Sequence, residues 1–146
     1  NLINANVRGK LEMTYRLHLI HTVVDTDNSV HRTTILDVPF TARGLAKVYR
    51  RWQEEDAYNR RVFGPTVLLP KHTFTANIVR EDGSVVTANT TPVYEYDQDE
   101  DTGEYIERIA GYEASPINPI EDIDLGKSWS ENVENIMAIV RIWDRK

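Results

Sequence analysis

FTARGLAKVYRRWQEEDAYNRRVFGP, residues 40–65, is the stretch whose reading decides the fold. It predicts a helix over 42–62. Thr41 suits the N-cap, because a threonine hydroxyl accepts from an orphan backbone N–H of the first turn. Phe40 and Leu45 flank that cap at the spacing of a hydrophobic staple. At the other end Gly64 is free to adopt a left-handed conformation, and Pro65 forbids continuation. Wound onto a helix, Leu45, Val48, Tyr49 and Trp52 fall on one apolar stripe, which marks a face docked on a core. Arg43, Lys47, Arg50 and Arg61 gather on the opposite side. Beyond Trp52 the stripe is lost: Glu55 and Asp56 stand near positions where apolar residues should continue, and Tyr58 and Val62 are rotated away. The first half is therefore expected to pack on the body, and the second half to bend or find a different partner. The helix carries six cations against Glu54, Glu55 and Asp56, a local +3 in a chain of net −6, which leaves −9 elsewhere.

Outward from the helix the chain reads as strands. Leu11, Met13, Tyr15, Leu17, Leu19, His21 and Val23 alternate with Glu12, Thr14, Arg16 and His18, a period of two that predicts a long strand. Turn residues at 25–29 return it as a second strand over 30–38. After the helix, a short apolar stretch at 67–69 leads to alternating His72, Phe74, Ala76 and Ile78. The Asp82-Gly83 turn then predicts a hairpin into 85–96, where Pro92 marks an edge or a bulge. A further turn at 97–103 leads to 105–112, completing an expected three-strand meander. Residues 115–125 hold Pro116 and Pro119 among Ile117, Ile120, Ile123 and Leu125, a pattern suited to an extended segment lying across the body.

The end of the chain admits two readings. Val133, Ile136, Met137, Val140 and Trp143 suit a helix, with Ser128 and Glu131 as a capping box. The β-branched and aromatic content of 136–143 favours a final strand, after one helical turn near Ser128. Together these readings give six strands and one long helix. The expected fold is mainly β (α+β): an antiparallel β-sandwich or partly closed barrel flanked by helix 42–62.

With 146 residues the chain is expected to form a single domain, 1–146, with 1–10 as a polar arm. Its composition, 40% apolar and 27% charged, is that of an ordered globular chain, and no apolar run is long enough to span a bilayer. No basic-then-apolar leader pattern is visible. The absence of cysteine excludes disulfides, thiolate metal sites and cysteine nucleophiles. Net acidity argues against nucleic acid as a partner, which calls for a broad basic surface.

Catalytic signatures are lacking: no nucleophile elbow, phosphate loop or dinucleotide fingerprint occurs. Asp97, Asp99 and Asp101 at alternate positions before Gly103 resemble a calcium loop. The glycine falls one place late, however, and Arg108 occupies the position of the bidentate glutamate. The preferred reading is a charged hairpin tip, with no metal and no cofactor. His18 and His21 lie three apart on a strand and face opposite sides, so they cannot share a metal. His31 is placed to pair across the hairpin with one of them, and His72 suits a strand end. Asn89-Thr90-Thr91 matches a glycosylation acceptor, relevant only in a secreted chain.

The expected function is that of a non-catalytic structural or assembly subunit, self-associating or docking on neighbouring subunits. Its basic helix face (Arg43, Lys47, Arg50, Arg61) and acidic loop (Asp97, Asp99, Glu100, Asp101, Glu104) are the candidate interfaces. Small β subunits with one flanking helix are common in phage tails and related injection tubes, an analogy of fold alone that suggests a virion component. A small acidic monomeric binding or regulatory module is the alternative. An enzyme built on scattered carboxylates ranks third.

Overall fold

Residues 14–64 and 68–144 are described by a computed structural model of the chain. They form β1 (Arg16–Val24), β2 (Val30–Pro39), α1 (Ala42–Phe63), β3 (Lys71–Val79), β4 (Thr87–Gln98), β5 (Tyr105–Pro116), a 3-10 turn at Pro119–Asp122 and α2 (Trp129–Trp143). The fold is mixed α+β. Among the described residues, five strands make two antiparallel sheets, one ordered β2-β1-β3 and the other the pair β4-β5. Among the described residues neither sheet closes into a barrel. The 1–10 arm, the first residues of the expected 11–23 strand, Pro65 and Val67 lie outside the described residues.

The alternation in β1 does what its period demands. Leu17 and Leu19 are fully buried, opposite Ile78 and Ala76 of β3, and α1 lays Leu45 and Val48 on the same face. Complete burial of each such side chain contributes about 1.5–3 kcal/mol. Trp52 packs against this core and donates its indole N–H to the Phe74 carbonyl at 3.0 Å. Thr41 caps α1 as expected, its Oγ1 accepting from Gly44 N–H at 3.0 Å. At the C-terminal end Gly64, at φ +68°, donates its N–H to the Arg60 carbonyl. The start of α1 is pressed onto the end of β2: a Cβ added at Gly44 would stand 2.0 Å from the Pro39 carbonyl oxygen.

Three expectations are corrected. The expected final strand is the 15-residue helix α2, so the described residues hold two α-helices where one was expected. The capping box at Ser128 and Glu131 is formed, and Ile136 and Val140 are fully buried while Val133 and Met137 pack beside them. One apolar stripe meeting a core outweighs the modest strand preference of β-branched residues. Asn132, 1% exposed, ties the preceding loop to α2: its Nδ2 donates to the Asp124 and Ser128 carbonyls, and its Oδ1 accepts from Asp124 N–H.

Next, the meander does not form. The Asp82-Gly83 turn closes as expected, with Gly83 at φ +87° and one bridge between Val79 and Val85. Beyond it Val86 and Ala88 enter the core, and β4 leaves to pair with β5, while β3 pairs with β1. Third, the 115–125 segment is only partly applied to the body. Ile117 and Ile120 are buried, but Leu125 is 64% exposed.

A polar clamp joins the distant parts. Asp144, its side chain 1% exposed, accepts from the Tyr15 hydroxyl at 2.6 Å and from Arg80 Nε and Nη2 at 2.9 and 2.5 Å. Burial and the Asp144 carboxylate push the Tyr15 phenol up to about 12. No helix among the described residues is long and apolar enough to cross a membrane.

Candidate functional site

Three surfaces gather charged, aromatic or histidine side chains. On the first, the outward side of α1, Arg43, Lys47 and Arg50 are exposed and form no ion pair among the described residues. The other cations of the helix are engaged locally. Arg51 pairs with Glu55 at 2.9 Å, Arg60 with Asp56 at 3.0 Å, and the Arg61 guanidinium lies over the Tyr58 ring. Arg61 shares the angular position of Arg43 but stands about 27 Å farther along the helix at 1.5 Å per residue. The predicted cationic face is therefore split, with Arg61 apart. Between α1 and β2 an open concavity of about 240 Å³ is lined by Leu36, Lys47, Arg50, Arg51 and Glu54.

The second surface is the β4-β5 ribbon. Cross-strand neighbours share a face, so the register places Pro92 with Tyr112, Tyr94 with Ile109, Tyr96 with Glu107 and Gln98 with Tyr105 on one side. That side presents four tyrosines and Ile109, each between 49% and 73% exposed. The opposite side carries Glu95 and Asp97, both paired with Arg108. At the tip the Asp99 carboxylate accepts from the N–H groups of Asp101 and Thr102, and Gly103 at φ +74° completes the turn. Asp99 is thus spent on the turn, whereas Glu100, Asp101 and Glu104 form no ion pair among the described residues. No three metal-ligating side chains converge there or elsewhere among the described residues. Residues 95–108 hold seven carboxylates and one arginine, a net −6. The predicted acidic group stays together, and it does not pair with the cations of α1 in the same copy.

The third is a ladder of four stacked rings under the C-terminal half of α1. Phe63, His72, His21 and Phe74 follow one another with centroids 5.0, 5.1 and 4.6 Å apart. His21 Nε2 and His72 Nδ1 lie 2.9 Å apart, so one ring nitrogen donates and the other accepts. Such a bond needs a single proton between the two nitrogens, which leaves the pair neutral or singly charged. Burial and the neighbouring His72 hold His21 below its ordinary range, opposed by Glu55. Asn59 donates to the His72 carbonyl at 2.9 Å. After Trp52, where the apolar stripe is lost, the helix meets the sheet through Asn59 and Phe63, both against His72. His31 pairs with Asp25 and His18 with Asp37, so neither joins the ladder.

The tyrosine face and the histidine pair escaped the sequence reading. The Tyr94-x-Tyr96 alternation is the signal that marks the first, but Ile109 and Tyr112 join it only through an extra residue, Ala110, opposite Val93 and Tyr94. The histidine pair depends on β1–β3 register, which no local pattern encodes. Compared with protein-family models, curated proteins and solved structures, the chain matches none.

Proposed function

We propose that this chain is a structural assembly subunit whose copies join head to tail, the acidic ribbon of one meeting the cationic side of α1 on the next. The observation that carries this reading is the ribbon itself. Every residue of β5 is exposed except Gly111 and Ser115, which are half-buried, and the tyrosine face has no covering layer among the described residues. An isolated two-stranded hairpin is marginal in water, and a contiguous exposed apolar face marks an interaction surface. A ribbon of net −7 over 87–116 and a helix of net +3 in one chain are complementary. Because the two surfaces differ, the contact is heterologous and builds a ring or an open filament, the geometry of a virion or phage-tail-type component.

Mass in solution at several salt concentrations tests the reading. Association at low salt that dissolves as salt rises is the expected result, and a monomer at high concentration and low salt overturns it. The same acidic ribbon supports the alternative of a monomeric module that docks on a basic foreign partner, and that monomer is its signature.

A further inference from the structure

The edges of the sheets specify how the copies meet, an inference that rests on the assembly reading above. In the sheet β2-β1-β3 the outer side of β3 is occupied. Val86 N–H donates to the Ile78 carbonyl at 2.8 Å, Val79 bridges Val85, and Ala76 N–H donates to Asn118 Oδ1 at 3.3 Å. The outer side of β2 has no such cover: among the described residues its only strand neighbour is β1. Open edges are templates for another strand, and proteins that must avoid this place charged side chains, above all lysine, proline or bulges along them. β2 has no lysine and no proline before Pro39, and of its two charged residues Asp37 is paired with Arg16, which leaves Arg32. It carries one bulge, Ile35, since Leu19 faces Leu36 while Ile20 faces Thr34. That leaves 30–34 as a regular, exposed run, rich in β-branched residues. Where this run ends, Leu36 opens into the concavity lined by Lys47 and Arg50.

We infer that this edge and concavity receive the ribbon of a second copy by strand addition. One ribbon strand pairs with 30–34, and the tip carboxylates Glu100, Asp101 and Glu104 lie against Lys47 and Arg50. The ribbon qualifies because it has only two strands, so each of its strands keeps an unpaired edge of its own. Main-chain bonds supply the attachment, and the charges fix which end lies at the concavity. Glu54 lines the same concavity and Arg51 is engaged by Glu55, so Lys47 and Arg50 are the cations it offers. The chain's own residues 1–10 do not match this site in charge, since they bring Arg8 and Lys10 and no carboxylate.

The test uses two full-length variants, Lys47→Glu with Arg50→Glu and Glu100→Lys with Asp101→Lys. All four side chains are exposed, so the melting curves of both variants are expected to match the parent. Each variant alone should self-associate at least about tenfold more weakly than the parent. Mixing them should restore association, because each supplies the surface the other has lost. In the mixture, amide hydrogen exchange at 30–34 should slow by at least about tenfold relative to either variant alone. A parent chain that never associates overturns both the assembly reading and this inference. Variants that associate as the parent does, or a mixture that stays monomeric, overturn the assignment of the two surfaces. Association restored without slower exchange at 30–34 overturns strand addition and leaves the assembly reading standing.

Discussion

The three-stranded sheet and the ribbon are made of strands of similar length, nine residues in β1 and twelve in β5, yet they are held in different ways. β1 lies between two strands and under a helix, and its Leu17 and Leu19 are cut off from water entirely. β5 has one neighbour and no fully buried side chain. Alternation of side chains is enough to make a strand, but a second layer is what makes the strand contribute to stability. The ribbon has the first and lacks the second.

The contrast can be broken most forcefully at a core leucine. Leu19→Ala should remove about 3–5 kcal/mol of folding stability, the range for a large cavity in a packed core. Tyr96→Ala in the ribbon should change it by less than about 0.5 kcal/mol. Both are read from denaturant melts at high salt, which screens the charge-driven contact proposed between copies. A comparable loss for Tyr96→Ala would mean that the ribbon is covered within its own chain.

Ion pairs should follow the same division. Asp144→Ala leaves Arg80 and the Tyr15 hydroxyl without their buried acceptor, and about 3 kcal/mol should be lost. Arg108→Ala removes pairs that are well exposed, with Arg108 at 62%, and should be worth at most about 1 kcal/mol. Glycines sharpen the comparison further. Gly44→Ala drives a methyl into the Pro39 carbonyl and should destabilise by about 1–3 kcal/mol, against the usual gain from alanine in a helix. Gly111→Ala in the ribbon meets open space and should be neutral or slightly stabilising.

The smallest effect is on pH dependence. His21 is held below its ordinary value of 6.5, chiefly by burial and then by His72, so the unfolded chain binds its proton more readily. Stability is therefore full above pH 6.5 and falls as pH drops below it through the folded-state value. Melts between pH 7.5 and 5, compared with His21→Gln, should show a shallower slope in the variant. An equal slope in both would assign the effect to other groups.

Much of the body was legible in the chain because its signals are local. Thr41, Gly64 and the stripe from Leu45 to Trp52 fix α1, and the β1 alternation fixes which of its faces is buried. The 128–143 segment held both messages, and the β-branched count of 136–143 masked the spacing of Val133, Ile136, Met137 and Val140. Propensity there differs by tenths of a kcal/mol per residue, less than one buried isoleucine. Pairing of β3 was illegible for another reason: Phe74, Ala76 and Ile78 alternate equally well whichever strand they face. The nearest strand is the usual neighbour, but here it is not the one chosen. On the candidate interfaces, charge could be read by counting, while the tyrosine face needed the Ala110 offset.

The root of the ribbon is gripped at Val86, Ala88 and Ile117, all part of the same core as α1 and α2. From Ala88 to Gln98 the arm then extends about 34 Å at about 3.4 Å per residue. It behaves as a cantilever, in which a tilt of about 5° at the root displaces the tip by about 3 Å. Under the proposed assembly, small repacking around Ile117 or Val86 would thereby reset the angle between neighbouring copies and the curvature of the array.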